Sequence, residues 1–117
     1  MAIKLTRVSQ VEHPVDVFVP NERGTHDKGT IRPTFRLLTR SEMRETIEAF
    51  EAGSMTTDDA LRRDVINIKG VNGDDGKAIE FDADLLEALL DQTEVFRALE
   101  GGWYEVQSQR TEHAKKN

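Results

Sequence analysis

The chain has no cysteine in its 117 residues. That excludes a disulfide framework and any thiolate, whether as metal ligand or as nucleophile, and nothing points to an oxidising compartment. No stretch approaches the roughly 18 consecutive apolar residues that a membrane span needs. The opening residues, "MAIKLTRVSQ", lack the apolar core of a signal peptide, so a soluble protein of a reducing cytoplasm is expected. Basic residues are outnumbered, 16 against 22 acidic, for a formal charge of −6. Phosphate backbones are bound by concentrated Lys and Arg, so this balance argues against a nucleic-acid partner.

What is present suits one folded domain. A chain of this length buries roughly two thirds of its unfolded surface and folds without covalent staples. The reading is α+β: an N-terminal β-hairpin or small antiparallel sheet followed by a three- to four-helix cluster. Residues 1–14 form an N-terminal segment of extended character, 15–106 a single globular domain, and 107–117 a flexible polar tail without apolar periodicity.

"VDVFVP" sets Val15, Val17 and Val19 on one side and Asp16 and Phe18 on the other, a strand stopped by Pro20. "NERGTHDKG" has no pattern and reads as a loop. "TIRPTFRLL" alternates again, with Ile31, Phe35 and Leu37 against Arg32, Thr34 and Arg36. Pro33 has no N–H to give a ladder, which predicts an edge position or a bulge there. The pair therefore forms a hairpin with a long, mobile connection.

"TRSEMRETIEAFEAG" is a helix with a capping box, Thr39 paired with Glu42, and Gly53 as its stop. Met43, Ile47 and Phe50 share a face, and the glutamates at 42, 45, 48 and 51 read as a solvated one. "TTDDALRRDVI" starts a second helix with Asp58 and Asp59 in its first turn and Leu61 and Val65 turned inward. "INIKGV" is extended. Asp82 or Asp84 caps a third helix bearing Leu85, Leu86, Leu89 and Leu90. A fourth begins at Thr93, with Val95, Phe96, Leu99, Trp103 and Val106 in register. Gly101-Gly102 costs that helix about 1 kcal/mol per glycine relative to alanine, which predicts a break or kink.

No catalytic constellation emerges. Were Gly76 the glycine of a calcium-binding loop, the first and third ligands would fall on Val71 and Gly73, which offer no side-chain oxygen. Taking Gly73 instead puts the first ligand on Ile68. "NGDDG" reads as turn chemistry. His13, His26 and His113 stand too far apart for a zinc site. "GVNGDDGK" lacks the spacing and the hydroxyl of a phosphate-binding loop, and no serine lies in G-x-S-x-G. Adjacent pairs such as Asp58-Asp59 and Asp74-Asp75 do not create the unlike environments of an acid–base couple. The chain reads as non-enzymatic, with no cofactor and no metal. A small enzyme with an acidic pocket would need two converging carboxylates of unequal pKa in a cleft.

What remains is surface for another protein. Trp103 and Tyr104 either close the core or anchor a partner. Edge strands offer a second docking mode, by strand addition, and leave self-association open.

"FRLLTRSEMRETIEAF" from Phe35, the second helix, the cadence I-x-G-V-x-x-x-D-G-K-x-I-x-F over Ile68 to Phe81, a leucine-rich helix and the closing "TEVFRALEGGWYEV" follow one another in a recognisable order. Over residues 15–106 this resembles the tail assembly chaperones of long-tailed double-stranded DNA bacteriophages and prophages. Ile68-Lys69 departs from the pattern, which often carries tryptophan before the G-V. The resemblance implies a non-enzymatic factor of the host cytoplasm, absent from the mature virion, that binds the tape measure protein and shields its apolar helices. It also implies that a frameshifted longer form can engage the tail tube protein. Ala114-Lys115-Lys116 is compatible with an A-rich slippery run. Candidate client-binding residues are Phe50, Leu86, Leu90, Phe96, Leu99, Trp103 and Tyr104, each of which also suits a core. The alternative is a structural tail completion or connector protein that stays in the virion.

Overall fold

The computed structural model describes Ala2 and residues 8–108. It is an α+β arrangement with β1 (Gln10–Glu12), β2 (Val15–Pro20), β3 (His26–Arg36), α1 (Arg40–Ala52), α2 (Thr57–Asp64), β4 (Val65–Lys69), α3 (Ala83–Leu90) and α4 (Thr93–Ser108). As expected, N-terminal antiparallel strands precede the helices; the sheet has four strands, because β4, between α2 and α3, joins it too. Gln107 and Ser108, assigned from sequence to the tail, form the last turn of α4, and part of segment 1–14 forms β1. His113, Ala114-Lys115-Lys116 and the rest of 109–117 lie outside the described residues, as do Met1 and residues 3–7.

β1 and β2 lie end to end along one side of β3, and the register runs unbroken from Gln10↔Arg36 to Pro20↔His26. The interruption between them falls where two prolines nearly face each other. His13 N–H donates to the Pro33 carbonyl at 2.9 Å, but Pro33 has no N–H to return. β4 occupies the other side of β3, with Ile68 opposite Pro33. Pro33 is therefore fully buried in the middle strand, so of the two expectations for it, an edge position or a bulge, the edge position does not hold. Its carbonyl points at His13, so its missing N–H falls on that same side and costs the β4 ladder nothing. The irregularity lies one step along, where the register shifts between Thr34 and Phe35.

The hairpin connection is also shorter than the sequence suggested, because β3 begins at His26 and residues 21–25 make the turn. Asn21 organises it. Its backbone N–H donates to the Thr25 carbonyl at 2.9 Å, and its side-chain oxygen accepts from the backbone N–H groups of Arg23 and Thr25. An aspartate or asparagine that mimics a backbone turn leaves little signal in periodicity.

Both early helices are capped as their sequences demand. Thr39 and Glu42 close a capping box on α1, Thr56 and Asp59 another on α2, and Gly53 ends α1 in the left-handed region at φ 74°. Of the two candidates for α3, Asp82 is the cap, accepting from Leu85 N–H at 2.7 Å. "NGDDG" is a turn: Asn72 bridges Ala78, and the Asp75 carboxylate accepts from Lys77 N–H. α1 is rotated relative to expectation. Ile47 is 43% exposed, and Thr46 takes the inward position because its hydroxyl has polar partners there.

One sheet face is apolar. Val15, Val17, Ile31 and Phe35 meet Val95, Leu99 and Trp103 of α4, with Leu61, Leu86, Leu89 and Leu90 completing the core. α4 crosses β2 so closely that a Cβ on Gly102 would lie 2.8 Å from Val15 Cγ1 and 3.2 Å from Phe35 Cζ. The glycine pair does not break the helix, which runs unbroken from Thr93 to Ser108. Gly102 serves close packing, and packing against the sheet outweighs its poor helix propensity.

Candidate functional site

The strongest polar constellation centres on Asp64, a carboxylate with no exposed surface at the C-terminal end of α2. Arg63 grips it with a fork, Nε to Oδ1 at 2.8 Å and Nη2 to Oδ2 at 2.9 Å. Arg36 of β3 reaches Oδ1 through Nε and Nη2 at 3.2 and 3.1 Å. Trp103 of α4 donates its indole N–H to Oδ2 at 2.7 Å. Arg36 also holds Glu42 of α1 at 2.9 Å, and Arg63 donates to the Thr46 hydroxyl at 3.1 Å, which itself donates to the Glu42 carbonyl. Three elements thus meet at one anion, and α1 joins them through the two arginines.

The arrangement binds structure rather than substrate. Both Asp64 oxygens are saturated by N–H donors, so no lone pair is left for a substrate proton or a cation. Above it lies a depression of about 300 Å³ lined by Arg36, Glu42, Glu45, Thr46, Met55 and Arg63. Its two guanidinium groups already face carboxylates, Asp64 and Glu42.

Sequence reasoning passed over Asp64, although one signal was available. An acidic residue in the last turn of a helix opposes the helix dipole, which favours cations there, so an Asp in that place needs specific donors. Two of its three donors are invisible along the chain, since Arg36 and Trp103 lie far from it in sequence.

Glu42, read from sequence as part of a solvated face, has a second role. The Thr39 backbone N–H and then the Arg36 guanidinium hold its pKa down from 4.5 to about 2. Asp59, beside the Thr56 N–H, and Glu87, beside Arg62, are lowered in the same sense. A carboxylate whose folded pKa is depressed adds stability that is present above its unfolded pKa and is lost as pH falls through the folded one. Urea midpoints are therefore expected to fall as pH drops from 4.5 toward about 2. Glu42→Gln keeps the capping acceptor without the charge and should flatten that fall; equal slopes in both proteins would contradict the assignment.

The seven residues proposed from sequence as partner-binding separate into two groups. Leu86, Leu90, Leu99 and Trp103 are buried in the core, the other role the sequence allowed them, because their helices turn them toward the sheet. Phe50 and Phe96 are partly buried, and Tyr104 is 46% exposed. The Phe50 and Tyr104 rings both pack edge-on against Trp103, with centroids 6.2 and 4.9 Å from it. Ile47 lies one turn before Phe50 on α1. Phe50 and Tyr104 thus form an apolar rim about Trp103, which Ile47 extends along α1. Ile47 is the member the sequence reading omitted, having placed it inward.

No group of three His, Asp or Glu residues among the described ones is arranged to hold a metal. No helix among them is long and apolar enough to cross a membrane. No family model, curated protein or solved structure matches the chain.

Proposed function

We propose that this chain is a tail assembly chaperone of a long-tailed double-stranded DNA bacteriophage or prophage. It binds the tape measure protein in the host cytoplasm and keeps it soluble during tail assembly, without catalysing a reaction. The reading draws on the pattern of residues 35–50 and 68–81 and on the order of hairpin, acidic helix and leucine-rich helices. The observation that carries it on this molecule is the rim of Ile47, Phe50 and Tyr104, supported from behind by Trp103. A client helix with an apolar stripe gains by covering such a rim, since partly exposed aromatics over a rigid base are where binding energy concentrates. The net charge of −6 helps keep the complex in solution.

Co-expression with the large coiled-coil product of the neighbouring gene is the test. Copurification and rescued solubility are expected. Ile47→Glu and Tyr104→Glu should each lose the client while leaving the thermal midpoint nearly unchanged, because both side chains are already exposed. Failure of the wild-type chain to retain that protein counts against the reading. Mass spectrometry of purified particles separates it from a completion or connector subunit, which would be found stoichiometrically in mature tails.

A further inference from the structure

The outer edge of β2 is complementary to itself. Two hydrogen-bonded pairs bracket this strand: His13 N–H to the Pro33 carbonyl and Asn21 N–H to the Thr25 carbonyl, both 2.9 Å. Antiparallel pairing alternates, so between those points Val15, Val17 and Val19 turn their backbone groups toward β3. Pro14, Asp16, Phe18 and Pro20 turn theirs outward, and among the described residues β2 pairs with β3 alone. Proline has no N–H, so Asp16 and Phe18 are the outward donors, with a proline closing the window on each side. Phe18 is 54% exposed and Val19 42% exposed.

We propose that two copies of this chain join through β2, antiparallel, about a two-fold axis at Val17, making one continuous sheet. In that register Asp16 faces the second copy's Phe18, and Phe18 faces its Asp16, so each exchanges both N–H···O bonds with its opposite number. The next pair outward is Pro14 against Pro20, neither of which leaves a donor stranded. Val17 meets its own copy, and Val19, exposed in the single chain, meets Val15 on the inner face, where Val15 and Val17 are already buried. Charge selects the same register. Lys28 stands across β3 from Phe18, so the row reads Lys28, Phe18, then the second copy's Asp16, with no like charges adjacent.

The neighbouring registers fail on the same chemistry. With the axis at Asp16, two carboxylates face each other. With the axis at Phe18, each Asp16 carbonyl faces a Pro20 nitrogen and finds no donor. The prolines thus limit strand addition to this short window and deny it to longer strands.

Sedimentation of the full chain over rising concentration tests the pairing. The mass is expected to climb from 13.2 kDa toward twice that value. Phe18→Glu sets two carboxylates opposite each other and should return the protein to monomer. Adding Asp16→Lys to it places Lys opposite Glu only if the axis is at Val17, and should restore the dimer. Far-ultraviolet circular dichroism and Trp103 fluorescence confirm that the variants fold. A wild-type chain that stays monomeric, a Phe18→Glu dimer of undiminished strength, or a double variant that fails to recover would each overturn the proposal.

Discussion

Asp64→Ala is expected to lower folding stability by about 3 kcal/mol, the lower part of the range for removing one partner from a buried ion pair. The loss arises from what stays behind. Arg36 and Arg63 keep their charges beside an apolar core, and the Trp103 indole N–H, fully buried, has no acceptor. The cost stays below the top of the range because about a third of each arginine side chain remains in water, at 32% and 33% exposure, so both can recover some hydration. Asp64→Asn preserves the shape but presents an amide N–H₂ to donors, and should lose most of the same stability. Urea unfolding followed by the single tryptophan measures both, and a change under about 0.5 kcal/mol, as at an ordinary surface site, would show that the cluster does not hold the elements together.

The second large effect is a contrast between adjacent glycines. Both sit in α4, and alanine at either position gains about 1 kcal/mol of helix propensity. At Gly101 a Cβ meets nothing within 4 Å, so Gly101→Ala should keep that gain. At Gly102 the new carbon lies 2.8 Å from Val15 Cγ1 and 3.2 to 3.3 Å from the Phe35 ring. Val15 is stiff at χ1 and Phe35 is fully buried, so neither can swing aside. Overpacking of this kind costs about 1–3 kcal/mol, so after the propensity gain Gly102→Ala should show a net loss of about 1 kcal/mol, and at most about 2. Opposite signs at neighbouring positions are a demanding outcome. Equal effects would mean that α4 does not approach β2 this closely.

Features carried by nearest neighbours were legible in the chain. Thr39 with Glu42 announces a helix start through local hydrogen bonds and forms as spelled, while of Asp82 and Asp84, both open from sequence, Asp82 is the cap. Alternation at Val15, Val17, Ile31 and Phe35 marks the buried sheet face, since a strand's side chains alternate by geometry alone. Where a residue has two local meanings, the reading went astray. Pro33 left an edge position and a bulge both open because the chain does not say which way its carbonyl will point. Gly102 looked like a helix breaker because propensity is local, whereas its reason is contact with Val15 and Phe35.

By itself, then, the sequence determined the fold class, the order of the four helices and the capping box of α1, because each depends on interactions a few residues apart. Tertiary structure alone decided the rest: the clamp on Asp64 and the rim of Ile47, Phe50 and Tyr104. The partners of Asp64 lie on β3 and α4 as well as beside it, and the rim depends on how far α1 is rotated about its axis. Such contacts are set when elements pack against one another, and periodicity along the chain carries no record of the angle at which they meet.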